Sequence, residues 1–132
     1  MTEEAFFAGL PLKLSPQQRA AVLATEGPVL LLAVPGRGKT TVLVARLGCL
    51  IHCRGVSPRE ILTVTYTVSA AGDMARRFAA LFGEDLARQL SFRTINGLCA
   101  SIIRTYARRK GVEPFALADG DARLNAVLRD LL

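Results

Sequence analysis

No uncharged run in this chain approaches the roughly 20 residues a membrane-spanning helix needs, so no membrane partner is expected. The opening Met1-Thr2-Glu3-Glu4 lacks the basic start of a signal peptide, which makes the expected compartment the cytoplasm. Cysteine is sparse and badly spaced for chemistry. Cys49, Cys53 and Cys99 are odd in number and form no paired C-x-x-C, and Cys49, His52 and Cys53 sit inside an apolar helical pattern, so all three thiols read as reduced core residues rather than disulfides or metal ligands. Internal repeats and low-complexity segments are absent, and nothing marks an internal domain boundary. Acidic residues are missing from Leu86 to Val112, a span that holds Arg88, Arg93, Arg104, Arg108, Arg109 and Lys110. With 17 Lys+Arg against 11 Asp+Glu the net charge is +6, which favours a polyanionic partner, although a solvated helix face would give the same local pattern. At 132 residues, 51% of them hydrophobic, the chain is long enough to bury a core without disulfide or metal staples.

What is present is organised around Pro28–Thr41. Val29 to Ala33 is an uncharged run rich in branched side chains, suited to a strand covered on both faces. Pro35 and Gly36 stop any regular structure, and Gly38 lets backbone N–H groups converge on one point. A helix starting near Lys39 would aim its unpaired amides and positive dipole end at the same point, which is the chemistry of an anion cradle. Lys39 supplies a mobile charge for the β- and γ-phosphates, and the Thr40 hydroxyl is a hard oxygen ligand for Mg²⁺. The pattern G-x-x-x-x-G-K-[ST] is met at Gly38, Lys39 and Thr40, with Ala33 in place of its first glycine. The candidate nucleotide-binding residues are therefore Ala33, Val34, Pro35, Gly36, Arg37, Gly38, Lys39, Thr40 and Thr41, with Lys39 and Thr40 in catalytic roles.

Before this stretch, Ser15 is a good N-cap and Pro16 a good first helical residue, so a helix is expected from there to about Thr25. Leu14, Gln18 and Val22 recur at four-residue spacing, which puts an amide on an otherwise apolar face. The amide of Gln18 matches the N6/N7 edge of adenine; taken singly, it would more often be a capping or surface residue. After the loop, Val42, Leu43, Leu47, Leu50 and Ile51 mark a helix to about Cys53. A second strand follows over Ile61–Thr67, then a helix from about Ser69 to Phe82 with Ala70, Ala71, Met74, Phe78 and Leu81 inward, closed by Gly83. Leu90–Thr94 reads as a third strand, and Leu98, Ile102, Ile103 and Tyr106 as the apolar stripe of a helix ending near Lys110. Pro114–Ala118 is expected to be extended, and Asp119 to cap a last helix bearing Leu124, Val127, Leu128 and Leu131. Alternating strands and helices imply an α/β fold with a parallel sheet and helices on both faces, of the P-loop NTPase type.

From Leu14 to Leu132 the order of these motifs resembles the amino-terminal part of the first motor domain of UvrD/Rep-type superfamily 1 DNA helicases. Leu14-Ser15-Pro16-Gln17-Gln18-Arg19-Ala20-Ala21-Val22 resembles the family's Q motif, with Gln18 on its adenine-reading glutamine. Ala33–Thr40 resembles motif I, where alanine at the first position is usual. Ile61–Met74 is similar to motif Ia, whose threonines and aromatic line the single-strand track, and Thr94-Ile95-Asn96-Gly97-Leu98 is similar to motif Ib. The resemblance divides the chain into a leader, 1–13, and a partial ATP-binding domain, 14–132. It implies ATP and Mg²⁺ as cofactors, single-stranded DNA and the rest of a helicase motor as partners, and Thr65, Tyr66, Thr67, Thr94 and Asn96 as nucleic-acid-binding residues.

The departures bear on the DNA side. Motif Ia usually reads Thr-Phe-Thr-Asn-Lys-Ala-Ala; Tyr66 keeps the ring, but Val68 and Ser69 replace a polar and a basic residue. Motif Ib usually has Thr-Phe-His, where Ile95 and Asn96 stand. No apolar strand ends in Asp-Glu, and hydrolysis also needs a water-orienting group and commonly an arginine finger. The expectation is a fragment or truncated product that binds nucleotide without turnover and associates with itself through exposed apolar surface. A small P-loop kinase and a non-catalytic relic of a helicase are the alternative readings.

Overall fold

The computed structural model describes residues 1–32, 36 and 38–113, which fall into two compact units, 1–98 and 99 onward. The first unit opens with a helix, α1, Glu3–Gly9, capped by the Thr2 hydroxyl. The segment read as a leader is thus folded, and Phe6 is buried in the core with 3% of its surface exposed. Helix α2, Pro16–Leu23, begins as expected: the Ser15 hydroxyl accepts from the Gln18 N–H at 3.2 Å, the Gln18 side-chain carbonyl accepts from the Ser15 N–H at 2.9 Å, and proline takes the first position.

Helix α3, Lys39–His52, starts at Gly38, which sits in the left-handed region at φ 76°, as no residue with a Cβ does comfortably. It buries residues on more than one side, Val42, Ala45 and Cys49 with Val22 and Phe6, and Val44 and Leu47 with Ile61, Met74, Phe78 and Leu90. Phe82 packs against both groups, and a Cβ at Gly48 would overlap its ring, so the two clusters meet through that glycine.

The sheet has two strands among the described residues. β1, Leu62–Thr65, and β2, Ser91–Thr94, run parallel with Leu62 opposite Ser91 and Thr65 opposite Thr94. Their crossover is α4, Val68–Phe82, capped at Thr67 and closed by Gly83, followed by a short turn of helix, α5, Glu84–Ala87, which the sequence pattern did not announce. The parallel pair joined by a helical crossover bears out the α/β expectation. Both strands are shorter than their apolar runs suggested, because pairing stops where the partner does. On α4, Ala71, Met74 and Phe78 are buried and Leu81 half-buried, but Ala70 is exposed. The cap at Thr67 fixes the helix phase, and Ala70 falls beside the i, i+3, i+7 row rather than in it.

The predicted strand over 29–33 is the main correction. Residues 28–32 form no strand, and Leu30 and Leu32 are 82% and 83% exposed. A parallel strand closes its hydrogen bonds only on neighbouring strands, and the ladder among the described residues contains only β1 and β2. Helix α6, Ile95–Lys110, continues into the second unit from Cys99. Its expected apolar stripe is largely exposed, Ile102 at 58% and Tyr106 at 62%, while Ala107 is buried. The expected extended segment 114–118, the Asp119 cap and the last helix lie outside the described residues. No described helix is long and apolar enough to cross a membrane.

Candidate nucleotide and strand-end site

Two groups of predicted residues are brought together, both in the first unit. The first surrounds the amino-terminal end of α3. Gly36 and Gly38 have φ of 78° and 76°, and with Lys39, Thr40, Thr41 and Arg77 they line a cavity of about 260 Å³. The first turn of α3 presents its unpaired N–H groups here, with the helix dipole's positive end. Among the described residues the cavity is lined by two cations, backbone donors and two hydroxyls, with no carboxylate-bearing residue in the lining. Ala33, Val34, Pro35 and Arg37 lie outside the described residues.

Arg77 was not singled out by the sequence reading. It comes from the third turn of α4, and its Nε donates to Asp73 Oδ2 at 2.8 Å, while Arg76 reaches the other oxygen at 3.4 Å. The i, i+4 acid-before-base spacing signals the ion pair, but its position beside the glycine loop depends on how α4 packs on α3. Gln18 also reaches the loop: its side-chain nitrogen lies 3.3 Å from where a Cβ on Gly38 would stand. Its carbonyl oxygen is used in the α2 capping box, so the capping reading holds. A carbonyl has a second lone pair, and the cap fixes which way the amide faces.

The second group lies at the carboxyl ends of the parallel strands, where open α/β sheets commonly place ligands. Thr65 and Thr94 are register partners. The Thr65 hydroxyl donates to the Thr67 carbonyl at 3.0 Å, the Thr67 hydroxyl accepts from the Ala70 N–H at 3.1 Å, and the Thr94 hydroxyl accepts from the Gly97 N–H at 3.0 Å. All three threonines shape the backbone at this edge. Tyr66, between two of them, projects with 89% of its surface exposed, and Asn96 is exposed as well. A bare aromatic ring on a rigid, capped turn can offer a π-face at low entropic cost.

The thiols divide. Cys49 is buried, Cys53 half-buried and Cys99 exposed, so Cys99 is not the core residue expected. Burial, and then the neighbouring Cys53 thiol, push Cys49 up to about 11. Among the described residues no group of His, Cys, Asp and Glu could hold a metal ion.

Residues 14–132 match the UvrD/REP helicase N-terminal domain family. The chain belongs to that family. The ATP-dependent DNA helicase PcrA of Leuconostoc citreum is 38% identical over 119 residues, covering 87% of this chain and 16% of that protein. PcrA of Staphylococcus epidermidis is 38% identical over 117 residues, covering 88% of this chain and 16% of the relative. A probable DNA helicase II homologue of Rickettsia conorii is 45% identical over 91 residues, 69% of this chain and 14% of the relative. The chain spans about one sixth of the length of the PcrA relatives it matches.

Proposed function

We propose that this chain is the ATP-binding front of a UvrD-like DNA helicase motor that couples ATP hydrolysis to movement along single-stranded DNA. The observation that carries the reading is the cavity at the start of α3, lined by Gly36, Gly38, Lys39, Thr40, Thr41 and Arg77. Its donors and cations suit the phosphates of ATP, and the Thr40 hydroxyl in its lining is a hard oxygen ligand that suits one Mg²⁺ position. Bound Mg²⁺ would neutralise phosphate charge. Lys39 and Arg77 hold the phosphates, and Gln18, oriented by its cap, faces the adenine edge. Tyr66 stacks a base of the strand, with Thr65, Thr67, Thr94 and Asn96 setting the turn and the phosphate contacts around it.

Binding and turnover separate in this reading. The sequence contains no Asp-Glu pair, and an arginine finger alone is worth about 10³–10⁵ in rate, so the chain by itself holds nucleotide near background turnover. The test is calorimetry with Mg·ATP. Lys39→Ala is expected to weaken binding at least about tenfold, the loss of a charge-assisted contact. Unchanged affinity in that variant would sink the assignment, and DNA-stimulated phosphate release above about 1 s⁻¹ by the chain alone would sink the division between binding and turnover.

A further inference from the structure

We infer that α1 is a clasp that sets the Gln18-bearing helix α2 against the glycine loop, and so governs recognition of the nucleobase. The inference rests on the nucleotide reading above. Residues 1–13 precede the region that matches the helicase family, yet α1 and the residue that opens the chain are fastened at four points. Phe6 is buried beside Val22 of α2 and Val42, Ala45 and Cys49 of α3, its ring parallel to that of Phe82 at 6.0 Å. The Phe7 ring lies under the Arg19 guanidinium, 4.3 Å from its centre, and Arg19 directly follows Gln18 on α2. Glu3 pairs with Arg54 at 2.7 Å, and the same guanidinium donates to the Thr25 hydroxyl at 3.0 Å, so one arginine ties α1 to the segment leaving α2 just past the end of α3. The amino-terminal ammonium donates to the His52 carbonyl at 3.2 Å, in the last turn of α3.

These ties act on two helices whose amino-terminal ends meet at the site. Helix α3 delivers Lys39 and Thr40 by its first turn, so its phosphate contacts are secured by its own backbone. Helix α2 also packs on α3 through Val22, and the Arg46 guanidinium donates to the Ala21 carbonyl at 3.1 Å. The Gln18 amide must hold a hydrogen-bond geometry within tenths of an ångström to tell adenine from guanine, and a supporting shell is what confines it. Loosening α1 is therefore expected to blunt base selection while sparing the phosphates.

The experiment compares the full chain with four altered forms by calorimetry: one lacking residues 1–9, the single reversals Glu3→Arg and Arg54→Glu, and the double reversal. The probes are Mg·ATP, Mg·GTP and Mg·tripolyphosphate. The ATP-over-GTP affinity ratio is expected to fall at least about fivefold in the shortened chain and about threefold in each single reversal, the scale of one weakened hydrogen bond, and to recover in the double reversal. Tripolyphosphate affinity is expected to stay within about twofold throughout. An unchanged ratio in the shortened chain overturns the clasp, as does an equal loss for all three probes, which would make α1 a stabiliser only. Should the shortened chain not fold, the reversals decide, and failure of the double reversal to recover counts against the clasp. A parent chain that binds ATP and GTP equally overturns the Gln18 reading and the clasp together, whereas a selective parent with indifferent variants overturns the clasp alone.

Discussion

Two apolar stretches flank the same glycine loop and end in opposite surroundings. Val29–Leu32 precedes it and is exposed, Leu30 at 82%; α3 follows it and buries Val44 and Cys49 almost completely. The side chains do not account for this, since the first stretch is the more uniformly apolar. The backbone does. A helix closes its hydrogen bonds within itself and can then offer any face for packing, whereas an extended segment must borrow partners from neighbouring strands before burial becomes favourable. Apolar sequence thus predicts burial for a helix once one packing partner is present, as on the Val44 and Cys49 sides of α3, and for 29–32 only once neighbouring strands are present as well.

The sharpest way to test this contrast is to truncate each side. Phe78→Ala, in the cluster that α3 shares with α4 and the strands, is expected to lose about 3–5 kcal/mol in urea unfolding, because the side chain is fully buried. Gly48→Ala probes α3 from the opposite direction by forcing a methyl group into the Phe82 ring, for an expected loss of about 1–3 kcal/mol. Leu30→Ser and Leu32→Ser are expected to stay within about 0.5 kcal/mol of the parent. A loss above about 2 kcal/mol in either would break the comparison, since it would mean the run is buried in solution. The exposed leucines add to the apolar surface open to self-association, which the sequence placed on the Leu124–Leu131 helix outside the described residues and on the sheet edge, so Leu30→Glu with Leu32→Glu is predicted to lower the apparent mass in sedimentation at high concentration.

The smallest effect is a titration. Cys49 on α3 is raised to about 11 in the folded chain, above its ordinary value of 9.0. Its contribution to stability is complete below pH 9 and is lost as pH rises towards 11. The parent is therefore expected to lose more stability than Cys49→Ala between those limits. At pH 8 an alkylating reagent is expected to modify Cys99 first and Cys49 last, since the exposed thiol meets it directly and the buried one stays protonated. Equal rates at the two positions would contradict the packing of α3.

Much of the first unit was legible in the order of its residues. Ser15, Pro16 and Gln18 specify a helix start through bonds within four residues, Gly83 closes α4 as read although its Thr67 cap was taken for strand, and Gly36 and Gly38 mark the loop that only residues tolerant of positive φ can form. The glycine-loop cavity follows from the same local rules, because a helix start and its unpaired amides are one event. The strand-end group was partly legible: motif order named Tyr66 and the threonines, while their alignment came from the Thr65–Thr94 register.

The remainder depended on which surfaces met. That Arg77 joins the cavity is a consequence of α4 lying on α3, and no spacing within α4 encodes it. That residues 3–9 are core follows from Phe6 finding the space beside Phe82. The sequence alone determined where α2 and α3 start and where the glycine loop must bend, because those outcomes are settled by bonds between near neighbours. Only the tertiary structure decided that the 29–32 run stays uncovered, that Cys99 and the α6 stripe face outward, and that α1 is fastened, because each depends on a partner distant along the chain whose presence local chemistry does not specify.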